Sequence, residues 1–119
     1  TQFVDTCGEI DPTLPASTLA AAAGNFHTLI LTDPGRMNNA DPLLPTMQSD
    51  LAAFAARPEV NGVVIDVGAD DAVISTNSQA DDYTNCPVAK NLVAQAVKQI
   101  VDKYWALNPE LEYIVIVGN

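Results

Sequence analysis

Six aspartates and two cysteines hold most of the reactive chemistry in this sequence. Asp33, Asp66, Asp70 and Asp71 fall at or just beyond the ends of apolar runs, and Asp81 and Asp82 follow in a polar stretch. Carboxylate oxygens at that density suit a hard cation such as Ca²⁺ or Mg²⁺. Their spacing is not that of an EF-hand loop, which needs a central glycine and a glutamate at its twelfth position. The same acids serve equally well as helix caps, Asx turns or solvated groups. Cys7 and Cys86 form one bridge if the protein meets an oxidising compartment, and stay free thiols if it does not. Two cysteines so far apart make no metal motif. His27, the only histidine, has the right type to activate a thiol. It precedes the first predicted strand, however, opposite the edge where α/β active sites form. Cys86 sits just before a predicted helix, whose N-terminus lowers a thiol pKa; a half-cystine is the simpler reading. No residue is assigned a catalytic role.

Three apolar runs set the frame that positions these groups. Thr28-Leu29-Ile30-Leu31-Thr32 is a short β-forming run, broken by the turn signal Asp33-Pro34-Gly35. A strand over 62–67 holds Val63-Val64-Ile65, continuous rather than alternating, which predicts cover on both faces. A third strand over 113–117 runs into Gly118-Asn119. A helix over 43–56, opened near Asp41 or Leu44, puts Leu44, Met47, Leu51 and Phe54 at 3-4-3 spacing. A stronger helix over 87–107 starts on Pro87 and lines Val88, Leu92, Ala96, Ile100, Tyr104 and Trp105 along one face. Residues 68–86 read as a long polar loop. Ser17 is placed to cap a short alanine helix over 18–23, with Gly24 just past its end.

The order strand, helix, strand, helix, strand predicts an α/β three-layer sandwich with a mainly parallel sheet, caspase-like or flavodoxin-like. Residues 1–27 form an N-terminal arm and short helix, and 28–119 a partial α/β domain. Loops near Asp33, Asp66 to Asp71 and Asn119 are expected to gather along one edge. A buried parallel strand at 113–117 needs neighbours, so the chain is expected to be one part of a larger domain. Its free strand edge should either pair with a second copy or lie under the N-terminal arm.

Composition narrows the partners. Fifteen acidic against five basic residues give a net charge of −10, a field that repels a phosphate backbone and disfavours nucleic acid. Hydrophobic residues make up 48% and mean hydropathy is +0.11, as in a globular chain. The apolar runs are strand-sized, too short to span a membrane. Thr1-Gln2-Phe3 carries neither an initiator Met nor a signal segment, so a processed or cut start is expected. Asp33-Pro34-Gly35-Arg36 lacks the glycines of nucleotide-binding loops, and Asp33 would repel a flavin phosphate.

Leu29-Ile30-Leu31-Thr32-Asp33-Pro34 with Arg36-Met37, Val63-Val64-Ile65-Asp66-Val67, and Tyr113-Ile114-Val115-Ile116-Val117-Gly118 after Asn-Pro together resemble gingipain-like cysteine peptidases. These have the caspase-like α/β fold, and the resemblance covers residues 28–119. It implies a histidine and a cysteine after later strands as the catalytic dyad; neither maps to a position here. It also implies calcium binding, and a secreted or extracellular bacterial protein, with a cytoplasmic one as the alternative. A protein or peptide substrate would be met through the parent polypeptide. The leading expectation is a non-catalytic N-terminal portion of such a domain, a scaffold with an acidic loop for calcium. Its partners would be the remainder of the parent polypeptide or a homodimer edge. The alternatives are a non-enzymatic α/β interaction module and a small receiver- or flavodoxin-like domain. In a receiver Asp66 would accept the phosphoryl group, yet no acidic pair ends the first strand.

Overall fold

The computed structural model describes residues 7–37 and 40–117. Three parallel strands, β1 (Thr28–Thr32), β2 (Gly62–Asp66) and β3 (Tyr113–Val117), form a sheet in the order β2-β1-β3. Thr28 pairs with Gly62 on one side and Tyr113 on the other, and both registers run unbroken to Thr32. Central β1 is buried along its whole length, as expected of a β-branched, apolar run with a strand on each edge.

Side chains alternate across this sheet. Leu29, Leu31 and Ile65 point to one face and join Val73, Ile100 and Tyr104 in the main core. Those partners come from α2 (Asp71–Asp82) and α3 (Pro87–Leu107). Ile30 is fully buried on the other face, where α1 (Leu43–Ala55) lies against β2 and β1. The crossover from β1 to β2 and the return to β3 run in opposite directions along the sheet. They use opposite faces, as right-handed connections require. The α/β architecture read from the sequence is the one observed.

Two segments depart from expectation. Residues 68–86 are not a loop: 67–69 form a 3-10 turn and 71–82 a helix, which carries Asp81 and Asp82. Asp70 caps that helix, accepting the Ala72 N–H at 2.8 Å. Ala72, Val73 and Thr76 make its buried stripe, and the surrounding Asp, Ser, Asn and Gln hide it from a hydropathy reading. The alanine run over 18–23 is not helical. Six residues are too few to offset helix nucleation, and α3 and its C-cap take their backbone groups instead. Lys103 Nζ donates to the carbonyls of Ser17 (2.9 Å) and Leu19 (3.0 Å). Fully buried Asn108 accepts from Gly24 and Phe26 N–H and donates to the Ala22 carbonyl. The left-handed residue after the run is Asn25 (φ 54°) rather than Gly24.

The arm is therefore a strap across α2 and α3. A disulfide between Cys7 and Cys86 pins its start beside Ile10, Ala89 and Leu92. It does not cover β3, whose backbone pairs only with β1 and the His27 carbonyl just before it among the described residues. Trp105, expected in the core, is 58% exposed, and Val88 is also open to solvent. Buried positions on α3 are Ala89, Leu92, Ala96, Ile100 and Tyr104. The α1 stripe is only half covered, with Phe54 exposed beneath the Arg57 guanidinium at 5.9 Å. Asp41 accepts the Leu43 N–H at 2.9 Å and so supports the start of α1. No helix among the described residues is long and apolar enough to cross a membrane.

Candidate functional site

The chain leaves β1 for β2 on one side, then returns past β1 to place β3 on the other. Open α/β sheets bind ligands beside such a reversal, beyond the C-terminal strand ends. A cleft of ≈ 540 Å³ lies at that place, between the ends of β1 and β3 and the two helices α2 and α3. Leu31, Val97 and Ile116 line its apolar part, while Asp33, Arg36 and Asn77 bring polar groups. A hollow of ≈ 310 Å³ shares those three polar residues and adds Ser78 and Asp81.

Local sequence explains how these groups arrive. Pro34 opens a 3-10 turn directly after β1, which leaves Asp33 at the mouth of the cleft. Arg36, closing that turn, reaches across to α2 and donates to both Asp81 oxygens at 2.9 and 3.0 Å. Both partners are about half exposed, so the pair tethers the turn to α2 more than it stabilises the fold. The guanidinium holds the Asp81 carboxyl below its usual range.

Asp33 behaves in the opposite sense. Burial, and then the neighbouring Asp66 carboxylate, push it up against the pull of Arg36. Asp66 accepts the Gly68 N–H at 2.9 Å. A Cβ on Gly68 would overlap Asp33 Oδ1 and stand 3.1 Å from Asp66 Oδ1. Glycine is what lets both carboxylates close on this turn. Gly68→Ala is expected to lose about 1–2 kcal/mol of stability by displacing Asp33. Adding Asp33→Ala should recover most of that loss in urea denaturation. An undiminished penalty in the double variant would remove Asp33 as the cause.

The other predicted ligands are dispersed. Asp70 is fully buried and accepts from the Ser17 hydroxyl, the Leu19 N–H and the Ala72 N–H. Burial opposes its charge, but these donors and the Val73 N–H outweigh it and hold the carboxyl below its usual range. Asp71 opens α2 with an exposed side chain, and its N–H donates to Thr18 Oγ1 at 3.0 Å. Asp82 closes α2 in solvent. Only Asp33 and Asp66 come together, with Asp81 across the hollow on Arg36. Among the described residues no three of His, Cys, Asp or Glu gather to hold a metal. Asn119, expected on this edge, lies outside the described residues.

His27 pairs with Glu110 at 3.2 Å, at the other end of β1 from the cleft. Cys7 and Cys86 are bonded to each other, so neither offers a nucleophile. Sequence reasoning missed Asn77 and the reach of Arg36. Asn77 stands one turn after Val73, a relation visible only once 71–82 is recognised as a helix. Comparison with known proteins gives this cleft no precedent: no family model, no curated protein and no solved structure matches the chain.

Proposed function

We propose that the chain is the N-terminal, non-catalytic portion of a gingipain-like, caspase-fold cysteine peptidase domain, acting as its scaffold. One observation carries this reading. β3 is Tyr-Ile-Val-Ile-Val, apolar on both faces, yet its side chains are largely exposed and one of its edges is unpaired among the described residues. That composition belongs to an interior parallel strand, and an uncovered apolar edge is a template for pairing. A further strand from the remainder of the polypeptide would pair that edge and let helices cover both faces. The β1/β3 cleft then lies within the widened sheet, among the loops that carry chemistry in α/β domains. The substrate is a protein or peptide, and the nucleophile is a cysteine outside residues 1–119. The disulfide suits a secreted or extracellular protein.

The test is hydrolysis of peptide amides by the whole encoded polypeptide beside residues 1–119, with iodoacetamide as the thiol probe. The whole polypeptide should cleave and lose activity on alkylation, while residues 1–119 stay inactive. A folded whole polypeptide that cleaves no amide overturns the reading. Size-exclusion chromatography adds a structural arm: residues 1–119 should associate through β3, and Ile116→Lys should return them to monomers. Association that survives Ile116→Lys would count against the β3 edge.

A further inference from the structure

The strap lies on α2 and α3 as a bound peptide lies on a receptor. From Asp11 to Phe26 it has no helix or strand, and side chains of the two helices hold its backbone. The Gln79 amide accepts the Asp11 N–H at 2.9 Å and donates to the Asp11 carbonyl at 3.2 Å. Gln99 repeats the device further along, accepting the Ser17 N–H at 3.1 Å and donating to the Pro15 carbonyl at 2.9 Å. Lys103 and Asn108 continue the track as far as Phe26. Ile10, Leu14 and Leu19 are the apolar anchors, packed on the two core clusters. One short hinge joins this segment to the sheet. A Cβ on Gly24 would stand 2.7 Å from the Phe26 ring, so the turn there is tight. Asn25 between them is exposed and left-handed, with φ 54°. That conformation costs an L-residue about 1–2 kcal/mol, though asparagine adopts it more readily than most.

We infer that the strap is exchanged between two copies of this chain. In the exchanged dimer each strap lies along the α2–α3 track of the other copy, and Cys7 of each is bonded to Cys86 of the other. Ser17 of one copy then donates to Asp70 of the other, so each α2 cap is completed by its neighbour. Every track contact is the same in both arrangements, so the hinge and the cost of association set the balance. A short hinge under strain favours exchange. Extending Asn25 releases the left-handed turn, twice per dimer.

Two effects oppose it. A tethered strap meets its own track at an effective concentration on the order of mM, and two copies of net charge −10 repel each other. The bridge then fixes whichever arrangement it closes on. Joined within one chain, Cys7 and Cys86 bar the strap from leaving; joined between chains, they hold the dimer covalently. Exchange therefore belongs to the dithiol state, before the bridge forms. Closure releases two electrons and two protons, which a disulfide oxidant such as oxidised glutathione takes up as it becomes two thiols.

The test uses the chain carrying Ile116→Lys, so that pairing through β3 supplies no dimer. Reduced protein, half of it labelled with heavy nitrogen, is mixed at about 1 mM and reoxidised with oxidised glutathione. Non-reducing electrophoresis should show a covalent dimer, and more of it with added salt, which screens the repulsion. Mass spectrometry of its protease fragments should find light Cys7 joined to heavy Cys86. Asn25→Val makes the left-handed turn harder and should lower the protein concentration that gives half dimer by about tenfold. Asn25→Gly makes it easier and should raise that concentration. Reoxidation to monomer alone at about 1 mM overturns the exchange. So does a dimer joined Cys7 to Cys7, or one indifferent to both Asn25 substitutions.

Discussion

Cys7→Ser is expected to lower the unfolding free energy by about 4 kcal/mol, because the bridge closes a long loop in the unfolded chain. Its partners are 79 positions apart, and loop-closure entropy still grows slowly at that length. Cys7 is the better residue to replace, being only half buried. Cys86 is 2% exposed among Ile10, Ala89 and Leu92, so its removal would add a packing loss. The strap makes the native side of the balance fragile as well. From Asp11 to Phe26 it forms neither helix nor strand, and between Asp11 and Pro15 side-chain bonds to Gln79 and Gln99 hold it. Hydrogen exchange should therefore quicken first near Ile10 to Leu14. Ser17 to Phe26 should stay protected, held by Asp70, Lys103 and Asn108. Urea unfolding of the oxidised protein, the same protein in dithiothreitol and Cys7→Ser provides the check. The last two should coincide. A variant within about 1 kcal/mol of the oxidised protein would mean that the unfolded chain gains little freedom on losing the bridge.

The sheet was legible because its strands are written in continuous apolar, β-branched runs, and because Asp33-Pro34 and Pro87 mark where the chain turns. α3 was legible from its period, but the period alone misplaced Trp105. Tyr104 and Trp105 belong to adjacent ladders, and nothing in the spacing tells which ladder the core covers. α2 escaped because its stripe is built from Ala72, Val73 and Thr76, small residues set among Asp, Ser, Asn and Gln. The alanine run failed for a different reason: Lys103 and Asn108, more than eighty positions away, take the groups a helix would have used. For the site, Asp33 and Asp66 fell at strand ends as expected. Asp70 and Asp71 shared that position in the sequence, yet Ser17 and Thr18 claim them across the strap. That pairing is tertiary, and no local pattern announces it. The cysteine reading was open between bridge and free thiols, and the structure has the bridge.

Asp70→Asn is expected to lose about 3 kcal/mol at neutral pH, the upper end for a buried donor stripped of its acceptor. One Asp70 oxygen accepts the Ala72 N–H at 2.8 Å; the other accepts the Ser17 hydroxyl and the Leu19 N–H at 3.3 Å. Asparagine keeps one acceptor oxygen, so the α2 cap survives. Its amide nitrogen then faces Ser17, which can rotate to accept, and the Leu19 N–H, which cannot. The negative charge at the α2 N-terminus is lost as well. The acid limb separates charge from packing. Asp70 has a depressed carboxyl pKa in the fold, so its contribution is complete above the unfolded value of about 3.9. It fades as pH falls through the lower folded value. Asp33, raised in the fold, has the opposite sign: its ionised form opposes folding, and protonation relieves that as pH drops toward 3.9. The gap between the two proteins should therefore be widest near neutrality and narrow below about pH 4. A gap that stays constant down to about pH 2 would assign the loss to packing. The consequence reaches the cleft, because Asn77 and Asp81 ride on α2. The strap's grip on Asp70 is thus also what fixes the far wall of the β1/β3 site.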